Sequence, residues 1–89
     1  LNIKEKSKSE DNFLEFIGLL DKIGKCYLSL QNLKESQKYF NRSYQIKLKF
    51  REKIKSIDIV NSLINIGTTF FNLNDYEQAL NYYHSAESI

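Results

Sequence analysis

The property that most restricts what this chain can become is that it repeats itself. Displaced by 43 residues, Leu20-x-x-Ile23-Gly24-x-x-Tyr27 falls on Leu63-x-x-Ile66-Gly67-x-x-Phe70. The same shift lays Leu30 on Leu73, Asn32 on Asp75, Ser36 on Ala79, Tyr39 on Tyr82, Phe40 on Tyr83 and Ser43 on Ala86. A repeat of this length is one supersecondary unit that cannot bury its apolar face alone and must stack on a neighbour.

Within each unit the apolar spacing points to two helices. Leu20, Ile23, Tyr27 and Leu30 recur at three- and four-residue intervals, as one buried stripe requires, and Leu63, Ile66, Phe70 and Leu73 repeat the pattern. A second stripe runs through Leu33, Ser36, Phe40, Ser43 and Lys47, with Tyr76, Ala79, Leu80, Tyr83 and Ala86 as its counterpart. The pattern breaks at Gln31-Asn32 and at Asn74-Asp75. Asn32 with Glu35, and Asp75 with Gln78, then have the spacing of a capping box, in which each side chain satisfies a free backbone N–H of the new helix. With no proline and only three glycines, the connections must be short.

Helices are therefore expected at about 11–30, 33–54, 57–73 and 76–89, grouped into units 10–55 and 56–89. Ile3, Ile46 and Ile89 are equivalent positions late in second helices. On that frame, residues 1–9 are expected to end the second helix of a preceding unit, and the second unit to be truncated. Gly24 and Gly67 fall inside helices, where glycine is about 0.5–1 kcal/mol worse than alanine. The reason expected is close approach of the partner helix, with Ser36 and Ala79 as the matching small residues and Tyr27 or Phe70 beside them.

These residues resemble the tetratricopeptide repeat, whose pattern is W-x2-L-G-x2-Y followed by A-x3-F. Here it reads Leu20-x2-Ile23-Gly24-x2-Tyr27 with Ser36-x3-Phe40, and Leu63-x2-Ile66-Gly67-x2-Phe70 with Ala79-x3-Tyr83. Asn74-Asp75-Tyr76-Glu77-Gln78-Ala79 resembles the family's common turn. The spacing exceeds the family's period of about 34 residues and is similar to the lengthened units of kinesin light chains. The His-Pro turn of that type is missing, and Leu48 stands where the short repeat carries proline.

The resemblance implies an all-α fold, a right-handed superhelix of antiparallel helical hairpins with about two units here. It also implies a scaffold that holds a protein or peptide partner on a concave face lined by the first helix of each unit. An asparagine just before the Ile-Gly pair often grips a bound peptide's backbone in this family, and Asn65 matches it; the first unit has Lys22 there. A carboxamide both donates to a peptide carbonyl and accepts from its N–H. By helical spacing Asp21, Lys25, Asn61, Thr68 and Asn72 share that face, with Leu28 and Phe71 beside it. The Lys and Asn set that binds acidic chaperone tails is not assembled by Lys25 alone. Two other functions fit the same architecture: a spacer that self-assembles through its ends, and a regulatory segment of a larger signalling protein.

Composition narrows the chemistry. Cys26 has no partner for a disulfide, and with the lone His84 it makes no zinc site, so no metal and no cofactor are expected. Cys26 is expected to pack as a small residue and His84 to sit on the surface. No phosphate loop, nucleophile–base pair or paired acid and base stands out, which argues against catalysis. Residues 1–55 hold all thirteen Lys and Arg against seven acids, and residues 56–89 hold four acids and no Lys or Arg. The alternation of apolar and basic residues over 46–55 reads as a solvated helix end rather than a nucleic-acid or membrane patch, because no stacking platform accompanies it. No apolar run approaches a membrane span, and a cytoplasmic setting is expected.

Overall fold

The computed structural model describes the backbone over residues 2–89 and side chains over residues 12–89. It contains four helices: α1 (Asn2–Ser29), α2 (Leu33–Lys49), α3 (Ser56–Asn72) and α4 (Tyr76–Glu87). The helices pack as two hairpins, α1 against α2 and α3 against α4, with α2 laid on α3 and α1 also reaching α3. The described residues hold no strand. The all-α hairpin stack expected from the repeat is what forms.

The two hairpins turn in the same way. At Gln31 (φ 60°) and Asn74 (φ 64°) the backbone enters the left-handed region. The N–H of Asn32 then reaches the carbonyl of Tyr27 at 2.9 Å, and that of Asp75 reaches Phe70 at 2.9 Å. These bonds, with Gln31 to Leu28 and Asn74 to Phe71 at 3.0 Å each, close the helix ends as Schellman motifs. The next helix starts at once. Asn32 Oδ1 accepts from the Glu35 N–H at 3.5 Å, and Asp75 Oδ1 from the Gln78 N–H at 3.2 Å. Only this half of each capping box forms; Glu35 instead pairs with Lys38 at 3.5 Å.

The glycines explain why the hairpins close so tightly. A methyl group on Gly24 would lie 2.6 Å from the Phe40 ring, and one on Gly67 would lie 2.8 Å from the Tyr83 ring. Both contacts are too short to exist, so only glycine permits this approach. Ser36, fully buried, donates from Oγ to the Gly24 carbonyl at 2.9 Å, while Ala79 is buried beside Gly67. Tyr27 stacks on Tyr39 (5.8 Å, 23°), and Phe70 stacks on Tyr82 (5.6 Å, 14°) in the same relation. Ile59, Leu63 and Ala86 form the core of the second hairpin, with Tyr44 of α2 and Ile54 packed against them.

Several expectations are corrected. No break separates residues 9 and 11: α1 is continuous from Asn2. Residues 2–12 contain no glycine or proline, so nothing in the chain stops the helical ladder. The equivalence drawn for Ile3 lies outside the described side chains. α2 ends at Lys49 rather than 54, and a single 3-10 turn, Arg51–Lys53, follows. Phe50 (φ −111°, ψ 37°) leaves the helix to set its ring edge-on to Phe13 at 4.8 Å, and Ile54 turns extended to reach the core. α3 and α4 lie within two residues of their expected bounds. Leu30, Leu73, Tyr76 and Leu80, placed in buried stripes by spacing, are exposed. The first three lie where a helix ends or begins, and Leu80 faces away from α3. Cys26 is also exposed.

One buried link ties the hairpins to each other. Lys47, on the buried stripe of α2, has only 5% of its side chain exposed. Its ammonium donates to Asp21 Oδ2 of α1 at 2.8 Å, to Ser62 Oγ of α3 at 2.8 Å and to the Asp58 carbonyl at 3.1 Å. A lysine has three protons to give, and all three are used.

Candidate functional site

The helical repeat of α3 sorts its residues into two faces. Ile59, Ser62, Leu63, Ile66, Gly67 and Thr69 are buried against α2 and α4. On the opposite side Ile57, Ile64 and Phe71 stand at seven-residue spacing, 58%, 41% and 51% exposed. Asn61 is exposed between them, and Asn65, Thr68 and Asn72 are half-buried along the edge. A solvated helix face normally carries charge, yet this one carries apolar side chains and carboxamides.

The carboxamides are unengaged. Asn61, Asn65 and Asn72 make no side-chain hydrogen bond to a described residue, so each keeps both its donor and its acceptor. Thr68 is different. Its hydroxyl donates to the Ile64 carbonyl at 2.9 Å and accepts from Tyr83 Oη at 2.9 Å, so it links α3 to α4 and is already satisfied.

α1 continues the same face. Leu14, Gly18, Asp21, Lys25 and Leu28 occupy the positions that Ile57, Asn61, Ile64, Thr68 and Phe71 occupy on α3. Leu14 and Lys25 are exposed, and Lys25 makes no ion pair with a described residue. Asp21 is held. Its Oδ2 is engaged by Lys47, its side chain is 18% exposed, and its Oδ1 is buried with no partner. The repeat spacing brings all six expected positions onto the α1 and α3 wall, but only Lys25, Asn61, Asn65 and Asn72 present uncommitted polar groups there.

Sequence reasoning missed two parts of this surface. Phe71 was placed beside the face, but Ile57 and Ile64, which complete its row, were missed although they form a second apolar period on the side away from Leu63, Ile66 and Phe70. The Asp21–Lys47 pair had a weaker signal: a lysine sitting on a stripe otherwise made of Ser36, Phe40 and Ser43.

Other chemistries find little here. Among the described residues no three His, Cys, Asp or Glu side chains are grouped to hold a metal ion. No described helix is long and apolar enough to cross a membrane. His84 is exposed, 3.3 Å from Glu87 on the outer side of α4.

Comparison with known families decides the assignment. The family model described as tetratricopeptide repeat matches residues 16–89, both hairpins. The chain belongs to the tetratricopeptide repeat family. No curated protein and no solved structure matches it. Tetratricopeptide repeats are helical interaction modules, typically without enzymatic activity, and the two hairpins here are about two such units.

Proposed function

We propose that this pair of tetratricopeptide repeats is a scaffold segment that holds a peptide or protein partner on the concave wall made by α1 and α3. The observation that carries the reading is the outward face of α3. Ile57, Ile64 and Phe71 supply exposed apolar contact beside Asn61, Asn65 and Asn72, whose amides are unused. An extended segment laid along this wall gains apolar burial from the first set and backbone hydrogen bonds from the second. Asn65 is the residue assigned the backbone-gripping role. The repeats are read as the lengthened 43-residue kind, similar to those of kinesin light chains, and the setting as cytoplasmic.

The test is selection from a phage-displayed peptide library, followed by binding of the selected peptides to variants. Ile64→Asp and Asn65→Ala are expected to weaken binding on the order of tenfold without loss of helicity, since neither side chain is in the core. Unchanged binding by both variants sinks the reading.

A second reading, self-assembly through the ends, is favoured by one observation. Phe16 and Leu19 are 41% and 52% exposed at one end of the stack, and Tyr76 and Leu80 are 54% exposed at the other. Sedimentation of the chain without peptide separates the two: concentration-dependent association abolished by Leu80→Glu supports the ends.

A further inference from the structure

Residues 50–55 do not extend the helix as the sequence pattern suggests, and this changes where their charges lie. Along a continued helix Lys49 and Lys53 would face one side while Arg51 and Lys55 faced the other. Instead α2 stops at Lys49, Arg51–Lys53 make one 3-10 turn, and Ile54 (φ −113°, ψ 134°) and Lys55 (φ −69°, ψ 144°) are extended. Lys49, Phe50, Arg51 and Lys53 then border one shallow depression, and Lys53, Lys55 and Ile57 border the next. Lys53 belongs to both, so the four cations lie along one continuous edge of the stack.

All four are exposed, and none pairs with an acid among the described residues. Three acids border the same two depressions. Asp21 is held by Lys47, Asp58 is half-buried, and only Glu52 is exposed. Apolar side chains stand among the cations: Phe50 is 38% exposed and Ile57 58%. At the other end of α3, a helix length of about 25 Å away, the turn carries Asp75 and Glu77 and no cation. Positive charge therefore gathers at one end of α3 and negative charge at the other.

We propose that this edge docks on an anionic lipid bilayer, with the cations at the headgroup phosphates and Phe50 and Ile57 entering the acyl boundary. Each lysine or arginine gains from the negative leaflet, and each exposed apolar side chain leaves water. The polarised charge turns the connector toward the membrane and the Asp75 turn away from it. A nucleic acid is served less well. Phe50 is engaged edge-on by Phe13 at 4.8 Å and lies 5.7 Å from the Lys49 ammonium, so its ring is no free platform for a base. The surface shares Ile57 with the α3 wall but takes its charge from the connector.

The test is sedimentation of the whole chain with phosphatidylcholine vesicles, with and without phosphatidylserine. The chain should pellet with the anionic vesicles and stay in solution with the neutral ones, and added salt should release it. Each cation at an anionic surface raises partitioning about fivefold, so Arg51→Gln with Lys53→Gln should lower it on the order of twentyfold. Ile57→Ser should lower it about fivefold. Lys34→Gln with Lys38→Gln removes the same charge at the start of α2, away from the connector, and should leave binding nearly unchanged. Every substituted residue is exposed, so circular dichroism should show each variant folded.

No binding to the anionic vesicles, equal binding to both kinds, or an equal loss from the Lys34 and Lys38 pair overturns the proposal. Tighter binding to single-stranded polyuridylate than to the vesicles, lost in the Arg51 and Lys53 double variant, assigns the edge to nucleic acid and overturns it too.

Discussion

Replacing Lys47 by methionine should destabilise the fold far more than the loss of one surface lysine. The substitution keeps the aliphatic stem that lies in the core and deletes the ammonium, which holds Asp21 Oδ2, Ser62 Oγ and the Asp58 carbonyl. What remains is an Asp21 carboxylate with no cation, one oxygen of which is already buried without a partner. Breaking a buried pair from one side costs about 3–5 kcal/mol. Asp21 retains 18% of its side-chain exposure, so water recovers part of that and about 2–4 kcal/mol is expected here. Asp21→Leu alone should cost a similar amount by stranding the ammonium. The double variant Asp21→Leu with Lys47→Met removes both charges and should return to within about 1 kcal/mol of the parent.

The assay is urea unfolding followed by far-ultraviolet circular dichroism. With a slope of about 1 kcal/mol/M for a small chain, each single variant should lose about 2 M or more in midpoint, or be unfolded at the outset. The cycle yields the coupling directly. Single variants within about 0.5 kcal/mol of the parent, or a double variant as unstable as the two singles summed, refute the role given to this pair.

Further predictions follow from the packing. Gly24→Ala and Gly67→Ala should each cost about 1–3 kcal/mol by driving a methyl group into Phe40 or Tyr83, while Gly18→Ala should gain about 0.5–1 kcal/mol; equal effects at all three sites would contradict the contact argument. Ser43 Oγ is buried without a partner and its counterpart is Ala86, so Ser43→Ala should be neutral or stabilising by up to about 1 kcal/mol, whereas Ser36→Ala, which strips a donor from the Gly24 carbonyl, should cost about 1–3 kcal/mol. Thermal melts that rank the two serines the other way would show that the hydroxyls are misassigned. Gln31→Gly should stabilise by about 1 kcal/mol, because glycine enters the left-handed region without the penalty glutamine bears there; a lower melting temperature would count against it.

Most of the fold was legible because both copies of the pattern agree. Gly24 with Ser36 and Gly67 with Ala79 each named a close approach, and both are present; Tyr27 and Phe70, expected beside the small residues, stack on Tyr39 and Tyr82. The exit from α2 was not legible. No glycine or proline marks Phe50, and the helix stops there because the Phe50 ring and Ile54 are better satisfied by Phe13 and the core than by further helical turns. Leu30 and Leu73 were misread because a period locates a face but not the end of the neighbour that covers it. At the wall, Asn61, Asn65 and Asn72 could be placed by spacing alone. Asp21 could not, since its commitment depends on Lys47, a residue 26 positions away on another helix.

The central claim is that α1 and α3 present the binding wall. Amide NMR spectra recorded while a library-selected peptide is titrated into the labelled chain test it most directly. The account predicts shifts concentrated at Gly18, Lys25, Asn61, Ile64, Asn65 and Asn72. Shifts confined to the outer side of α4 around His84, or to the ends around Leu19 and Leu80, would contradict it.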